Sequence, residues 1–177
     1  MKQPAVFIDR DGTLIEEVNF LSRVEDLRFF SYTEEAIRLL KESGFLIIVL
    51  TNQSGIGRKI FDEAAMHAIH QKIQMQLDGM IDAFYFCPHL PTAECVCRKP
   101  NIEMIEKARA DFPIDLENSW MIGDKKLDIK TGFNAGIKTA LVLTGYGKET
   151  AANLEKKPDL VAENLLEAVK LVVSGER

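Results

Sequence analysis

The chain has 177 residues, of which 46% are hydrophobic and 28% charged, and its formal net charge is −5 at pH 7. This length predicts one domain, residues 1–177, with a substantial core. The acidic balance argues against nucleic acid or an anionic membrane as a partner, because both require a basic surface. There is no apolar run of about 18 residues that could cross a bilayer and no signal peptide at the start. We therefore expect a cytoplasmic monomer with reduced cysteines.

Apolar runs typical of buried strands alternate along the chain with segments of helical periodicity. The predicted strands are 5–8, 45–50, 82–86, 119–122 and 138–143. The predicted helices are 33–44, 62–79, 101–110, 126–136 and 162–173, the first of them capped by Thr33 and ended by Gly44. This alternation predicts an α/β, Rossmann-like domain with a central parallel sheet and helices on both faces.

Polar and charged stretches follow four of these strands, where ligands bind in such folds. They are DRDGT (9–13), TNQSG (51–55), CRKP (97–100) and GDKKLD (123–128). Several carboxylates in one cleft need a cation to stay ionised, and hard oxygen ligands favour Mg²⁺. Such a site suits a phosphoryl group, because Lys99 would neutralise its charge and Thr51 would donate a hydrogen bond. One aspartate could attack phosphorus while its neighbour protonates the leaving oxygen.

Each stretch alone could be a turn, a loop or a helix start. In this order, however, they resemble the haloacid dehalogenase superfamily of phosphohydrolases over roughly residues 5–145. The family pattern matches here at Asp9, Asp11 and Thr13, then Thr51, then Lys99, then Asp124 and Asp128. The resemblance implies that Asp9 is the nucleophile and forms an aspartyl-phosphate, and that Asp11 is the general acid and base. It also implies that Asp9, the carbonyl of Asp11 and Asp124 hold Mg²⁺, while Asp128 fixes a metal-bound water or Lys99.

All three cysteines lie in one short segment together with a histidine. Cys87-x-His89 and Cys95-x-Cys97 form two ligand pairs, a closed tetrahedral set for structural Zn²⁺. Coordination would hold this loop folded and so present the following Arg98 and Lys99 to a phosphate. The alternatives are a catalytic cysteine or three buried thiols.

Two further histidines lie three residues apart on the second predicted helix. His67 and His70 could imitate a ligand pair. Because nothing around them in the sequence supports a metal, we expect both on a solvated helix face.

The predicted zinc loop before CRKP makes the resemblance more specific, because fewer families share it. The four stretches DRDGT, TNQSGIGR, CPH…CVCRKP and IGDKKLD together resemble the D-glycero-D-manno-heptose 1,7-bisphosphate phosphatases, and the histidinol-phosphate phosphatase domains look very similar. Both are small members without a large cap domain, and the segment between Gly12 and Phe45 is too short to form one here. Loops would therefore control access to the site.

The resemblance also maps substrate contacts onto this chain. The expected set is Glu17, Val18, Asn19, Phe20, Thr51, Asn52, Gln53, Ser54, Arg98, Lys99 and Lys125. Arg98 is expected to reach the distal phosphate or the sugar. The short spacer LPTAE resembles the histidinol form, whereas the tail TGYGKET resembles the heptose branch. We expect Mg²⁺-dependent removal of the 7-phosphate of a heptose bisphosphate used for lipopolysaccharide and related surface polysaccharides. The alternatives are a histidinol-phosphate phosphatase and a non-catalytic phospho-receiver module.

Overall fold

The computed structural model describes residues 2–175, which form six strands, seven α-helices and one 3₁₀ turn, Val24–Asp26. The strands are β1 (Gln3–Ile8), β2 (Leu46–Asn52), β3 (Ala83–Cys87), β4 (Ile114–Gly123), β5 (Lys138–Val142) and β6 (Leu160–Ala162). The helices are α1 (Thr33–Glu42), α2 (Ser54–Gly57), α3 (Glu63–Gln76), α4 (Glu103–Asp111), α5 (Lys126–Ala135), α6 (Gly147–Asn153) and α7 (Leu165–Ser174). None of these helices combines the length and the apolar character that crossing a bilayer requires.

The strands form one parallel sheet in the order β3-β2-β1-β4-β5-β6. Strands β2 and β3 follow one another on one side of β1. The chain then crosses back, and β4, β5 and β6 follow one another on the other side of β1. The order therefore reverses between β1 and β4. In doubly wound sheets the ligand crevice lies at this reversal, beyond the carboxyl ends of the strands, which is where Asp9 and Asp124 emerge.

Helices cover both faces of the sheet, and the two faces have separate cores. Along β1, Val6 and Ile8 pack into one core, with α1, α3 and α7, while Ala5 and Phe7 pack into the other, with α4. Successive side chains of a strand point to opposite faces. Because both faces are buried, the strands are continuously apolar rather than alternating. The predicted α/β class is confirmed.

Several predicted boundaries were wrong. Thr33 is the first residue of α1 and does not cap it: the cap position is Tyr32, and the Thr33 hydroxyl donates instead to the Leu14 carbonyl at 2.9 Å. Strand β4 begins well before residue 119, because its first residues pair with Gln3 and Pro4 before an irregularity shifts the register. The short elements α2, α6 and β6 had no periodic signal long enough to predict them.

Candidate active site

Asp9 and Lys99 form a buried ion pair at the carboxyl end of β1. The Lys99 ammonium donates to Asp9 Oδ1 at 2.7 Å, to Asp128 Oδ1 at 2.6 Å and to the Leu50 carbonyl at 2.9 Å. Burial would raise the pKa of Asp9, but the charges of Lys99 and Lys125 outweigh it and lower that pKa below its ordinary value. Asp9 is therefore an ionised carboxylate, the state that a nucleophile needs.

The position of Lys99 is fixed through its main chain as well. Asn52 accepts from the Lys99 amide at 3.1 Å and donates to the Lys99 carbonyl at 3.3 Å. These two bonds join the loop after β2 to the loop after β3. The lysine thus reaches Asp9 from a backbone that the neighbouring strand end holds in place.

A carboxylate cluster beside this ion pair could hold a metal ion. Oxygens of Asp9, Asp124 and Asp128 lie within 4.8 Å of one another. Asp124 accepts from the Thr13 hydroxyl at 3.3 Å and from the Tyr146 amide at 2.8 Å. Burial, and then the charge of Asp9, raise the pKa of Asp124 to about 8. A buried carboxylate in this state gains from a nearby cation, and oxygen-only donors fit Mg²⁺.

Two glycines allow the backbone to pass close to Asp124. A Cβ on Gly12 would lie 2.4 Å from Asp124 Oδ2, and one on Gly145 would lie 2.2 Å from the same atom. Both residues also have positive φ angles, of 91° and 51°, which favour glycine. The loop after β1 and the loop after β5 can therefore close over Asp124 only without side chains at these positions.

Asp11 accepts hydrogen bonds from two side chains. Arg10 donates to it through Nε and NH2, both at 3.0 Å, and Gln53 Nε2 donates at 3.0 Å. On its far side, Arg10 NH1 lies 3.2 Å from His70 Nε2. Because a guanidinium can only donate, His70 accepts and is neutral. Burial, and then the charge of Arg10, lower the pKa of His70 to about 3.

The prediction that His67 and His70 share a solvated face was therefore wrong for His70. His67 is exposed, but His70 is buried and stacks on Phe84 with ring centroids 4.5 Å apart. Neither Arg10 nor His70 was assigned a role from the sequence. A signal was present, because His70 continues the apolar stripe of α3 at four residues from Met66 and three from Ile73.

A cleft of about 380 Å³ opens beside these residues. Its walls include most of the residues expected to contact substrate: Glu17, Val18, Asn19, Phe20, Asn52, Gln53, Ser54 and Lys125. Tyr146, which the sequence did not single out, also lines it, and Lys125 Nζ lies 5.1 Å from the centre of its ring. Thr51 lies beneath the wall and its hydroxyl accepts from Gln53 at 2.6 Å.

Arg98 lies apart from this cleft. It donates to the His89 carbonyl at 3.3 Å and lines a separate hollow with Pro91, Asn101 and Leu127. Although Arg98 precedes Lys99 in the sequence, the two residues lie in a bend and a turn of the loop after β3, and their side chains make different contacts. The structure therefore does not bring Arg98 and the cleft-lining residues together.

The four proposed zinc ligands meet at one point. The ligand atoms of Cys87, His89, Cys95 and Cys97 lie within 4.8 Å of one another, and the three cysteines are not disulfide-bonded. The Cys87 and Cys95 sulfurs are 3.7 Å apart, and the Cys87 sulfur is 3.5 Å from His89 Nδ1. The Cys97 sulfur lies closer to its neighbours, 2.9 Å from the Cys87 sulfur and 3.2 Å from His89 Nδ1. Ligands placed tetrahedrally around zinc at about 2.3 Å would be separated by about 3.8 Å. The donor set fits this metal, and the Cys87–Cys95 distance matches that separation, while the two Cys97 distances are shorter.

Comparisons with known proteins identify relatives of this chain. Residues 96–168 match the HAD-hydrolase-like family model. The D-glycero-beta-D-manno-heptose-1,7-bisphosphate 7-phosphatase of Haemophilus ducreyi is 37% identical over 182 residues, which cover 97% of this chain and 100% of the relative. The D-glycero-D-manno-heptose-1,7-bisphosphate 7-phosphatase of Thermosynechococcus vestitus is also 37% identical, over 97% of this chain and 96% of the relative.

The fold matches a solved structure over nearly its whole length. The crystal structure of D,D-heptose 1,7-bisphosphate phosphatase from B. bronchiseptica, complexed with magnesium and phosphate, superposes with a TM-score of 0.90 at 29% identity, covering 97% of this chain and 99% of that one. Fold and site thus define the class, a haloacid-dehalogenase-like phosphoric monoester hydrolase, as the sequence predicted. Within this class the chain belongs to the family of D-glycero-D-manno-heptose-1,7-bisphosphate 7-phosphatases.

Proposed function

We propose that this phosphatase removes the 7-phosphate of D-glycero-D-manno-heptose 1,7-bisphosphate in the cytoplasm, where its thiols stay reduced. The observation that carries the proposal is the buried, ionised Asp9, held by Lys99 with Asp11 and Asp124 beside it. The names of the most similar relatives supply the substrate. The product would feed the synthesis of lipopolysaccharide heptose.

The proposed reaction has two steps. Asp9 attacks phosphorus and forms an aspartyl-phosphate, while Asp11 gives its proton to the departing sugar oxygen. Asp11 then takes a proton from water, and the water oxygen attacks phosphorus, which restores Asp9 and releases inorganic phosphate. Arg10 and Gln53 donate to the Asp11 side chain and so orient it for both proton transfers. Lys99 neutralises the phosphoryl oxygens.

Mg²⁺ is the proposed cofactor of this site. Asp9, the carbonyl of Asp11 and Asp124 would hold it, and it would neutralise negative charge on the transferred phosphoryl group. Asp128 does not belong to this set, since its carboxylate accepts from Lys99 and from the Lys125 amide. Its proposed role is to position Lys99.

We expect Mg²⁺ to bind more tightly as the pH rises from about 6 to about 8. Asp124 must lose its proton to bind a metal, and its pKa is raised to about 8. In the Mg²⁺-free protein the raised pKa also affects folding stability. Protonated Asp124 stabilises the fold at low pH, and this contribution is lost as the pH rises through about 8. Titration calorimetry at pH 7, in two buffers of different ionisation enthalpy, should detect proton release on Mg²⁺ binding. An Mg²⁺ affinity that does not change with pH would contradict this prediction.

Zinc is the proposed structural metal of the loop after β3. We expect about one equivalent of zinc by elemental analysis, and none in Cys97→Ser. Because Lys99 lies just beyond the last ligand, turnover by Cys97→Ser should fall by about 10- to 100-fold. Thr92→Ala, at the exposed tip of the same loop, is the control and should keep both zinc and activity. Full turnover by a zinc-free protein would refute the structural role.

Turnover of two substrates tests the proposed function. We expect kcat/KM to be higher for the heptose 1,7-bisphosphate than for histidinol phosphate, which the short spacer LPTAE in the zinc loop makes the relevant competitor. The reverse preference would overturn the substrate assignment while leaving the phosphatase class intact.

The role of Asp11 separates an enzyme from a receiver module. In Asp11→Asn we expect steady-state turnover of an aryl phosphate to fall by about 10²- to 10⁴-fold, because the second step loses its base. The wild type should turn over continuously. A wild type that stops after a single phosphorylation would instead support the receiver alternative.

A further inference from the structure

The ammonium of Lys125 lies at the point that the proposed Mg²⁺ ligands share. Its Nζ donates to the Asp11 carbonyl at 2.9 Å and lies 3.5 Å from Asp124 Oδ1 and 3.6 Å from Asp9 Oδ2. These oxygens belong to the three residues assigned to the metal. A monovalent cation from the chain itself therefore occupies the electrostatic position of the divalent ion.

Lys125 is also the cation on which Asp124 depends. Among residues 2–175, the ion pairs of Asp124 are limited to the one with Lys125. Lys99 faces Asp9 and Asp128, and Arg10 faces the carboxylate of Asp11. If the Lys125 ammonium were absent, Asp124 would have no cationic neighbour among these residues, and its ionised form would be costly in a low-dielectric site.

The ammonium and Mg²⁺ cannot share these oxygens. Mg²⁺ binds oxygen at about 2.0–2.1 Å with near-octahedral geometry, so a second cation in contact with the same three atoms would be strongly repelled. The backbone of Lys125 is fixed, because its amide donates to Asp128 Oδ2 at 3.0 Å. Its side chain, however, is 33% exposed and lines the cleft, so the head group can leave while the main chain stays in place.

A second partner of Lys125 indicates where its ammonium would lie after it leaves the aspartates. Lys125 Nζ donates to Glu17 Oε2 at 3.0 Å, and Glu17 belongs to the cleft wall. The ring of Tyr146 flanks the ammonium on the same side. A lysine that leaves the aspartates while keeping Glu17 moves toward the cleft and its anionic ligand.

We propose that Lys125 is an exchangeable counter-ion: it neutralises the metal site of the Mg²⁺-free protein, and the metal displaces it into the cleft, where it attracts the substrate's phosphate. This rests on the proposed Mg²⁺ site. Metal binding thus supplies two cations to the substrate, the ion itself and the ammonium that it releases. The phosphate site is complete only after the metal has bound.

The test compares Lys125→Met with the wild type and with Lys126→Met. Lys126 is the matched control, because it is the next residue and its ammonium pairs with Glu155 on the surface. Each protein is freed of Mg²⁺ by dialysis, which leaves a tightly bound zinc in place. Thermal unfolding is then measured without and with saturating Mg²⁺, and Mg²⁺ binding is measured by calorimetry.

We expect Lys125→Met to lower the melting temperature of the Mg²⁺-free protein by about 2–4 °C and to tighten Mg²⁺ binding by roughly tenfold. With Mg²⁺ bound, its melting temperature should match the wild type. Lys126→Met should change none of these values. Unchanged or weaker Mg²⁺ affinity in Lys125→Met, beside normal binding by the wild type, would overturn the proposal. A wild type that binds no Mg²⁺ would overturn the metal role itself, and this inference with it.

Inorganic phosphate tests the second half of the exchange. At saturating Mg²⁺, phosphate should bind Lys125→Met roughly tenfold more weakly than the wild type, although the metal is bound more tightly. Equal phosphate affinity in the two proteins would show that the displaced ammonium does not reach the cleft. Lys125→Gln, which keeps a polar head without the charge, should behave like Lys125→Met.

Discussion

Asp9→Asn is expected to abolish turnover, with a loss of at least about 10⁵-fold in kcat. The amide oxygen can still accept from Lys99, so the fold and the position of the lysine should be retained. What is lost is the negative oxygen that attacks phosphorus. Steady-state release of phosphate measures the effect, and acid quenching of the wild type during turnover should trap phosphate on the protein.

The control for this variant is Asp26→Asn, a change in the exposed 3₁₀ turn, which should keep full activity. Zinc content should be the same in all three proteins, since Asp9 contacts none of the cysteines. Residual activity within a hundredfold of the wild type would mean that another group attacks phosphorus.

Lys99→Met is expected to damage both activity and stability. Lys99 is buried and pairs with two buried carboxylates, Asp9 and Asp128. Removing one partner of a buried ion pair leaves uncompensated charge and costs about 3–5 kcal/mol. Turnover should also fall by about 10²- to 10³-fold, because the phosphoryl oxygens lose a fixed cation. Urea unfolding and kcat measure the two effects.

Lys107→Met provides the comparison for this variant. Lys107 pairs with Glu103 on the exposed face of α4, where an ion pair contributes little to stability. The free energy of unfolding of Lys107→Met should therefore differ from that of the wild type by less than about 1 kcal/mol. If Lys99→Met were as stable and as active as Lys107→Met, the buried pair would have no role in holding the site.

The sequence predicted the sheet and its functional edge because both depend on local patterns. Continuous apolar runs are enough to identify strands that are buried on both faces, and parallel strands place their carboxyl ends together. Asp9, Thr51, Lys99 and Asp124 were therefore assigned to one edge without any knowledge of the loops. The cysteine and histidine spacing likewise predicted a ligand cluster whose atoms meet in the structure.

The contacts that the sequence did not reveal depend on tertiary packing. Arg10 meets His70 only because α3 packs beside the end of β1, and the two residues are far apart in the chain. The family resemblance assigned Arg98 to the substrate, but its guanidinium donates to the His89 carbonyl, a contact that depends on how the loop folds. The position of the Lys125 ammonium could not be predicted from the sequence, because it depends on how three separate loops are placed.

The double hydrogen bond between Asn52 and Lys99 has a consequence for how the zinc loop can change during evolution. Residues 91–94 lie between the two ligand pairs of the cysteine and histidine cluster and are exposed. Beyond the second pair, Asn52 holds the main chain of Lys99. Insertions or deletions at this tip would lengthen or shorten an exposed turn without displacing Lys99. The length of the tip is therefore under little catalytic constraint, and a short spacer is by itself a poor guide to the substrate.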